Sequence, residues 1–88
     1  MKRKLENLKK LYESKVVAII RADESDKLLK AAEALMKGGI PVIEISMTTP
    51  GALEAIRQVA ESFAGGVIVG AGTVLDPETA RQAILAGA

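Results

Sequence analysis

Cysteine, histidine and tryptophan are all missing from this 88-residue chain. Without cysteine there is no disulfide framework and no thiolate nucleophile. Without histidine the commonest general base and the commonest metal ligand are gone. Chemistry is left to carboxylates, lysine, arginine and hydroxyls. One Phe and one Tyr are the only aromatic residues, so the core has to be aliphatic. No apolar run approaches the roughly 20 residues needed to span a bilayer. The formal net charge of +1 is too balanced to imply a nucleic acid or an acidic partner. What is present is a hydrophobic content of 49%, which argues for a folded chain. The length suits one small domain or a piece of a larger one.

The chain opens on a charged, periodic stretch from Met1 to Glu13. Leu5, Leu8, Leu11 and Tyr12 fall on one helical face, with Lys2, Arg3, Lys4, Lys9 and Lys10 elsewhere. The basic start is like a signal-peptide n-region, but no apolar h-region follows it, and the expected location is the cytoplasm. A membrane-surface or nucleic-acid role is the sharper alternative for this helix. The plainer expectation is that its leucine stripe packs on the domain.

Three strand–helix units follow. Val16-Val17-Ala18-Ile19-Ile20-Arg21 is a continuous apolar run of the kind a parallel strand covered on both faces requires. Asp23, Ser25 or Asp26 can cap the next helix, whose stripe is Leu28, Leu29, Ala32, Leu35 and Met36. Gly38-Gly39 ends it. Pro41 to Ser46 is the second strand, and Pro50 can open a helix that carries Leu53, Ile56, Ala60 and Phe63. Val67 to Thr73 is the third strand and its exit. Asp76-Pro77 is a cap followed by proline at the first helical position, with Ala80, Ala83 and Ile84 facing inward and Gly87 at the end.

Strands alternating with amphipathic helices mean parallel pairing. A fourth strand is due just where the sequence stops, and three parallel strands leave two open edges. The expected fold is therefore α/β: a leading helix over 1–14 and three βα units over 15–88, together the N-terminal part of a single (βα)8 TIM barrel domain. A small open doubly wound sheet is the alternative.

Glu44 stands out inside the second strand, because a dry, unpaired carboxylate costs several kcal/mol. Strand alternation puts Val17, Ile19 and Arg21 on one face, Val42, Glu44 and Ser46 on another, and Val67, Val69, Ala71 and Thr73 on a third. Active sites of barrels lie at the C-terminal ends of strands. Arg21, Glu44 and Thr73 would then converge on one rim, where a cation, a carboxylate and a hydroxyl could bind an anion and move a proton. Structural alternatives are an Arg21 pair with Asp23 or Glu24, an Arg21–Glu44 bridge, and a simple turn role for Thr73. Gly70-Ala71-Gly72 is too short for a dinucleotide or P-loop fingerprint; small residues there let a substrate or a neighbouring strand come close.

Ile43-Glu44-Ile45-Ser46-Met47-Thr48-Thr49-Pro50, with Val69-Gly70-Ala71-Gly72-Thr73-Val74 and Val17-Ala18-Ile19-Ile20-Arg21, resembles the N-terminal part of the 2-keto-3-deoxy-6-phosphogluconate / 4-hydroxy-2-oxoglutarate aldolases. The resemblance runs over essentially the whole chain. It implies a (βα)8 barrel, usually a homotrimer, and a class I aldolase that forms a lysine Schiff base with a small keto-acid substrate. The products would be pyruvate and an aldehyde, with no metal or other cofactor. By the same resemblance Glu44 matches the general acid/base, Thr73 matches a residue that holds the pyruvate carboxylate, and Arg21 matches an arginine lining the site.

Two departures stand against that pattern. Thr48 occupies a place where some members carry an arginine for the substrate carboxylate. The Schiff-base lysine, on the sixth strand in the family, is not in this chain, and neither is the phosphate site. Lys27, Lys30 and Lys37 lie on a helix, Lys2, Lys4, Lys9 and Lys10 lie on the first helix, and Lys15 sits at the wrong end of its strand. These 88 residues alone are thus expected to be inactive. A non-catalytic half-barrel scaffold that self-associates is the alternative from another class, and a flavodoxin-like binding domain is a third. Self-association is expected because Val17, Ile19, Val42, Val67 and Val69 would otherwise face water.

Overall fold

The computed structural model describes residues 2–21 and 23–88. The elements are α1 (Lys2–Ser14), β1 (Ala18–Ile20), α2 (Ser25–Lys37), β2 (Val42–Ser46), α3 (Ala52–Ser62), β3 (Ile68–Gly72) and α4 (Pro77–Ala86). The strands form one sheet in the order β1-β2-β3, with both pairings parallel. Helix α2 packs on β1 and β2, α3 packs on β2 and β3, and α4 packs against α3. Sequential parallel strands joined by helices on one side are the local pattern of a (βα)8 barrel.

The core lies between the sheet and those helices. Ile20, Ile43, Ile45 and Val69 from the strands meet Leu28, Ala32, Ile56 and Val59 from the helices. Complete burial of a side chain such as Ile45 or Ile56 contributes about 1.5–3 kcal/mol, so this layer is the main source of stability. Helices α2, α3 and α4 all lie on that side of the sheet, and the opposite face is open around β1. Ile19 stands there 55% exposed, and Val17, next to β1, is 46% exposed.

Register decides which residues share that open face. Ile19 pairs with Glu44, and Glu44 pairs with Gly70; Val42 pairs with Ile68, and Ser46 with Gly72. The open face of β3 therefore carries Ile68, Gly70 and Gly72. Val67, Val69 and Ala71 pack with the helix-side core instead. This corrects the parity expected for the third strand and removes Val67 and Val69 from the water-facing set; Val42, although on the open face, is 3% exposed and leaves that set too. Both faces of β3 are small or apolar, so hydropathy alone did not fix which one turned inward.

Several local expectations also shift. Arg3 to Ser14 includes no buried residue, and Leu5 and Tyr12 are 60% and 81% exposed; the leucine stripe is not packed on the domain. Helix α2 is preceded by Glu24 without a side-chain cap, and Asp23 pairs with Lys27 at 2.8 Å instead; the side chain of Ser25 lies outside the described residues. Pro50 sits in the turn before α3, which begins after Gly51. The buried face of α3 is Ala52, Ala55, Ile56 and Val59, so Leu53, Ala60 and Phe63 flank it. On α4 the inward residues are Ala83 and Ala86, whereas Ile84 is 63% exposed. Helix α2 does end at the double glycine: Gly39, at φ 93°, lets Ile40 N–H reach Leu35 O at 2.9 Å.

Asp76 caps α4 as its sequence requires, accepting from Thr79 N at 2.7 Å and from Thr79 Oγ1 at 2.9 Å. The backbone N–H of Thr79, then its hydroxyl, hold the Asp76 carboxyl below the ordinary aspartate value of 3.8. A depressed folded-state value stabilises the fold above the unfolded value, and that contribution is lost as pH falls through the folded one. Asp76→Ala should lower the thermal midpoint at neutral pH, and the two proteins should converge as pH drops below 3.8; thermal melts followed by circular dichroism across pH check this.

The uncovered face leads to a second expectation. The isolated 88-residue chain should self-associate, and Ile19→Lys should weaken that association by charging the open face; light scattering against concentration measures both.

Candidate active site

Strand β2 is the central strand, and it delivers Glu44 to the open face. Its neighbours on the helix side, Ile43 and Ile45, are 1% and 0% exposed, and this burial on one face locks Glu44 onto the other. The carboxylate lies across β3 at Gly72. A Cβ built on Gly72 would overlap the Glu44 carboxylate, with Glu44 Cγ only 2.9 Å away. A Cβ on Gly70, although Gly70 is the direct partner of Glu44, would meet only Ile43 O at 3.9 Å. Gly72 is therefore the residue that makes room for the acid. The small residues of β3 admit a neighbouring side chain.

Beyond Glu44 the same face turns into a cluster of hydroxyls. Ser46 is fully buried. Its Oγ lies 2.7 Å from Thr48 Oγ1 and 3.1 Å from Thr73 Oγ1, and it accepts from Thr48 N at 3.4 Å. Met47 N–H donates to Gly72 O at 2.8 Å, which keeps the ends of β2 and β3 together as they leave the sheet. Thr73 takes a left-handed backbone, φ 59°, at a cost on the order of 1–2 kcal/mol for a residue with a Cβ. That turn breaks strand alternation and brings the Thr73 hydroxyl to Ser46. Thr73 reaches the Glu44 side of the sheet by its backbone twist, not by strand alternation.

A cavity of about 300 Å3 opens beside this cluster, lined by Met47, Thr48, Thr73, Leu75, Asp76 and Thr79. A larger one, about 380 Å3, lies at the other end of the strands around Lys10, Glu13, Pro41 and Gly66. It is remote from the carboxylate and the hydroxyls. Strand C-terminal ends are where (βα)8 barrels carry their chemistry, and the polar groups are gathered at that end.

Arg21 stands apart. It is exposed just past β1. Among the described residues the ion pairs are Lys9–Glu13, Lys27–Asp23, Lys37–Glu33 and Arg57–Glu54. Neither the Arg21–Glu44 bridge nor an Arg21 pair with Asp23 or Glu24 is among them. The structure thus brings Glu44 and Thr73 to one end of the sheet and leaves Arg21 unconnected to both. Ser46 is the polar residue that sequence reasoning passed over as a site residue. The signal was there: it shares the parity of Glu44 and interrupts an otherwise apolar strand.

A family model described as "KDPG and KHG aldolase" matches residues 7–88. The 2-dehydro-3-deoxy-phosphogluconate aldolase of Pseudomonas aeruginosa is 40% identical over 76 residues, covering 86% of this chain and 34% of its own length. The KHG/KDPG aldolase of Escherichia coli is 38% identical over 73 residues, covering 83% and 34%. Among solved structures, a KDPG aldolase from Legionella pneumophila with pyruvate captured as a covalent carbinolamine superposes with a TM-score of 0.76 at 36% identity, over 82% of this chain and 34% of its own. The Zymomonas mobilis enzyme with 3-phosphoglycerate gives 0.73 at 39%, over 81% and 33%. The chain spans about a third of the length of these relatives, and its three βα units have the fold of part of a (βα)8 TIM barrel. On its motifs, its sheet and these likenesses together, the chain belongs to the KDPG and KHG aldolase family.

Proposed function

We infer that residues 1–88 form the N-terminal part of a single barrel domain of a class I aldolase. Its reaction is cleavage of 2-keto-3-deoxy-6-phosphogluconate, 4-hydroxy-2-oxoglutarate or both to pyruvate and an aldehyde. The observation that carries this reading is the Glu44 carboxylate on the open face of the central strand, seated over Gly72 beside the Ser46–Thr48–Thr73 hydroxyls. The relatives' names supply the substrate class, and the Legionella neighbour's covalent carbinolamine supports a Schiff-base route.

In this reading a lysine outside these residues condenses with the substrate C2 ketone, and the water lost takes the carbonyl oxygen. Glu44 carries the protons of that step. It then accepts the proton of the C4 hydroxyl as the C3–C4 bond breaks. The bonding pair moves onto C3 and the imine, C4 leaves as the aldehyde carbonyl, and a proton returned to C3 gives the pyruvyl imine. Hydrolysis releases pyruvate. Thr73 donates a hydrogen bond to the substrate carboxylate. Arg21 adds positive charge at the mouth of the site, in place of a cation at Thr48. The enzyme would work in the cytoplasm as a homotrimer, without metal or other cofactor.

The second reading, a non-catalytic scaffold completed by self-association, is favoured by the exposed Val17 and Ile19 alone. Borohydride trapping separates the two. The full-length protein should be labelled covalently by pyruvate plus borohydride, and the 88-residue chain should not. Absence of any adduct in the full-length protein contradicts the aldolase reading.

Three substitutions test the roles. Glu44→Gln keeps the shape and removes the base, so kcat should fall by about 10²–10⁴-fold; a cleavage assay reads it. Gly72→Ala should leave the fold intact, because the overlapping atoms are those of a side chain that can turn away. It should still depress cleavage strongly by displacing Glu44. Gly70→Ala, which meets only Ile43 O at 3.9 Å, should be near neutral in the same assay.

A further inference from the structure

Ser46 is the junction of three hydroxyls, and its hydrogen-bonding capacity is fully committed. A serine hydroxyl has one proton to donate and two lone pairs. Thr48 N–H uses one lone pair at 3.4 Å. One proton and one lone pair remain for Thr48 Oγ1 at 2.7 Å and Thr73 Oγ1 at 3.1 Å. Ser46 must therefore donate to one threonine and accept from the other. With its side chain fully buried, no solvent molecule can relieve it of that choice.

The two directions present different ends to a ligand. If Thr73 donates to Ser46, its proton is spent inward and only lone pairs face the cavity. If Thr48 donates to Ser46 and Ser46 to Thr73, the Thr73 proton is free to point outward. An anion can use only the second arrangement. Hydrogen bonds in such a chain also polarise one another, which strengthens the terminal donor.

We propose that Ser46 is a positioning residue that makes Thr73 a donor to the substrate carboxylate, through a one-way chain Thr48→Ser46→Thr73. Thr48 fills the remaining lone pair of Ser46, which turns the Ser46 proton toward Thr73. The hydrogen bond from Ser46 also holds Thr73 in its left-handed conformation, φ 59°. The proposal rests on the aldolase reading, because it assumes a carboxylate at Thr73.

The test measures inhibition by pyruvate, which carries a carboxylate, and by pyruvamide, which is neutral there, in the full-length protein. Ser46→Ala removes the junction. Thr48→Val removes only the distal hydroxyl from an exposed side chain and keeps its shape. Ser46→Ala should weaken pyruvate about tenfold, the loss expected of a misplaced hydrogen bond to a charged group, while pyruvamide changes by less than about twofold. Thr48→Val leaves the Ser46 proton no acceptor but Thr73, so it should keep pyruvate within about twofold. Ser46→Thr, which keeps the hydroxyl, should restore pyruvate binding, and Thr48→Val should add nothing once Ser46 is alanine. Unchanged pyruvate inhibition in Ser46→Ala, or equal loss for both ligands in that variant, overturns the proposal. Failure of the aldolase reading shows separately, as an unsubstituted protein that gives no borohydride-trapped adduct, and the hydroxyl chain falls with it.

Discussion

A carboxylate lying over a glycine is the constraint on which the site is built. Glu44 projects from the middle of the central strand, where a charge has no place unless something makes a polar seat for it. Gly72 makes that seat by having no side chain. The adjacent glycine, Gly70, has room to spare, so the two are not equivalent although both lie on the open face. The arrangement depends in turn on the burial of Ile43 and Ile45. A slip of one residue in β2 would bury the acid under the helices and expose two isoleucines.

From there the sheet end becomes progressively more polar. The strand pair stays zipped by Met47 N–H to Gly72 O, and the first residue beyond it, Thr73, turns left-handed. That strained turn aims a hydroxyl at Ser46, and Ser46 links it to Thr48. Strain at such a position persists only where the surroundings over-determine it; here the zipped strand ends and the shared hydroxyl do so. Carboxylate, hydroxyls and cavity thus occupy the same end of the sheet. Helices α2 and α3 occupy the other face, with α4 behind α3, and provide stability.

Much of this was legible in the residues. Alternating apolar runs and amphipathic stripes gave the order of elements, and Asp76-Pro77 and Gly38-Gly39 marked a helix start and a helix end because their backbone chemistry allows little else. The anomaly of an acid in an apolar strand pointed to Glu44, and the polar Ser46 two positions on carried the same signal. The inner face of β3 was not legible, since Val67, Val69, Ile68 and the glycines suit either side. Nor was the left-handed turn at Thr73, which no local propensity of a β-branched residue favours. The fate of the first helix was equally hidden: Leu5, Leu8 and Tyr12 form a regular stripe, yet periodicity does not say what a stripe faces.

The most direct measurement is a crystal structure of the full-length protein with pyruvate bound. The ligand carboxylate should accept from Thr73 Oγ1, and a Glu44 oxygen should lie within about 3 Å of the ligand's carbonyl-derived oxygen, above Gly72. Pyruvate seated elsewhere, or Glu44 turned away from Gly72 with the ligand in place, would contradict the role given to that carboxylate.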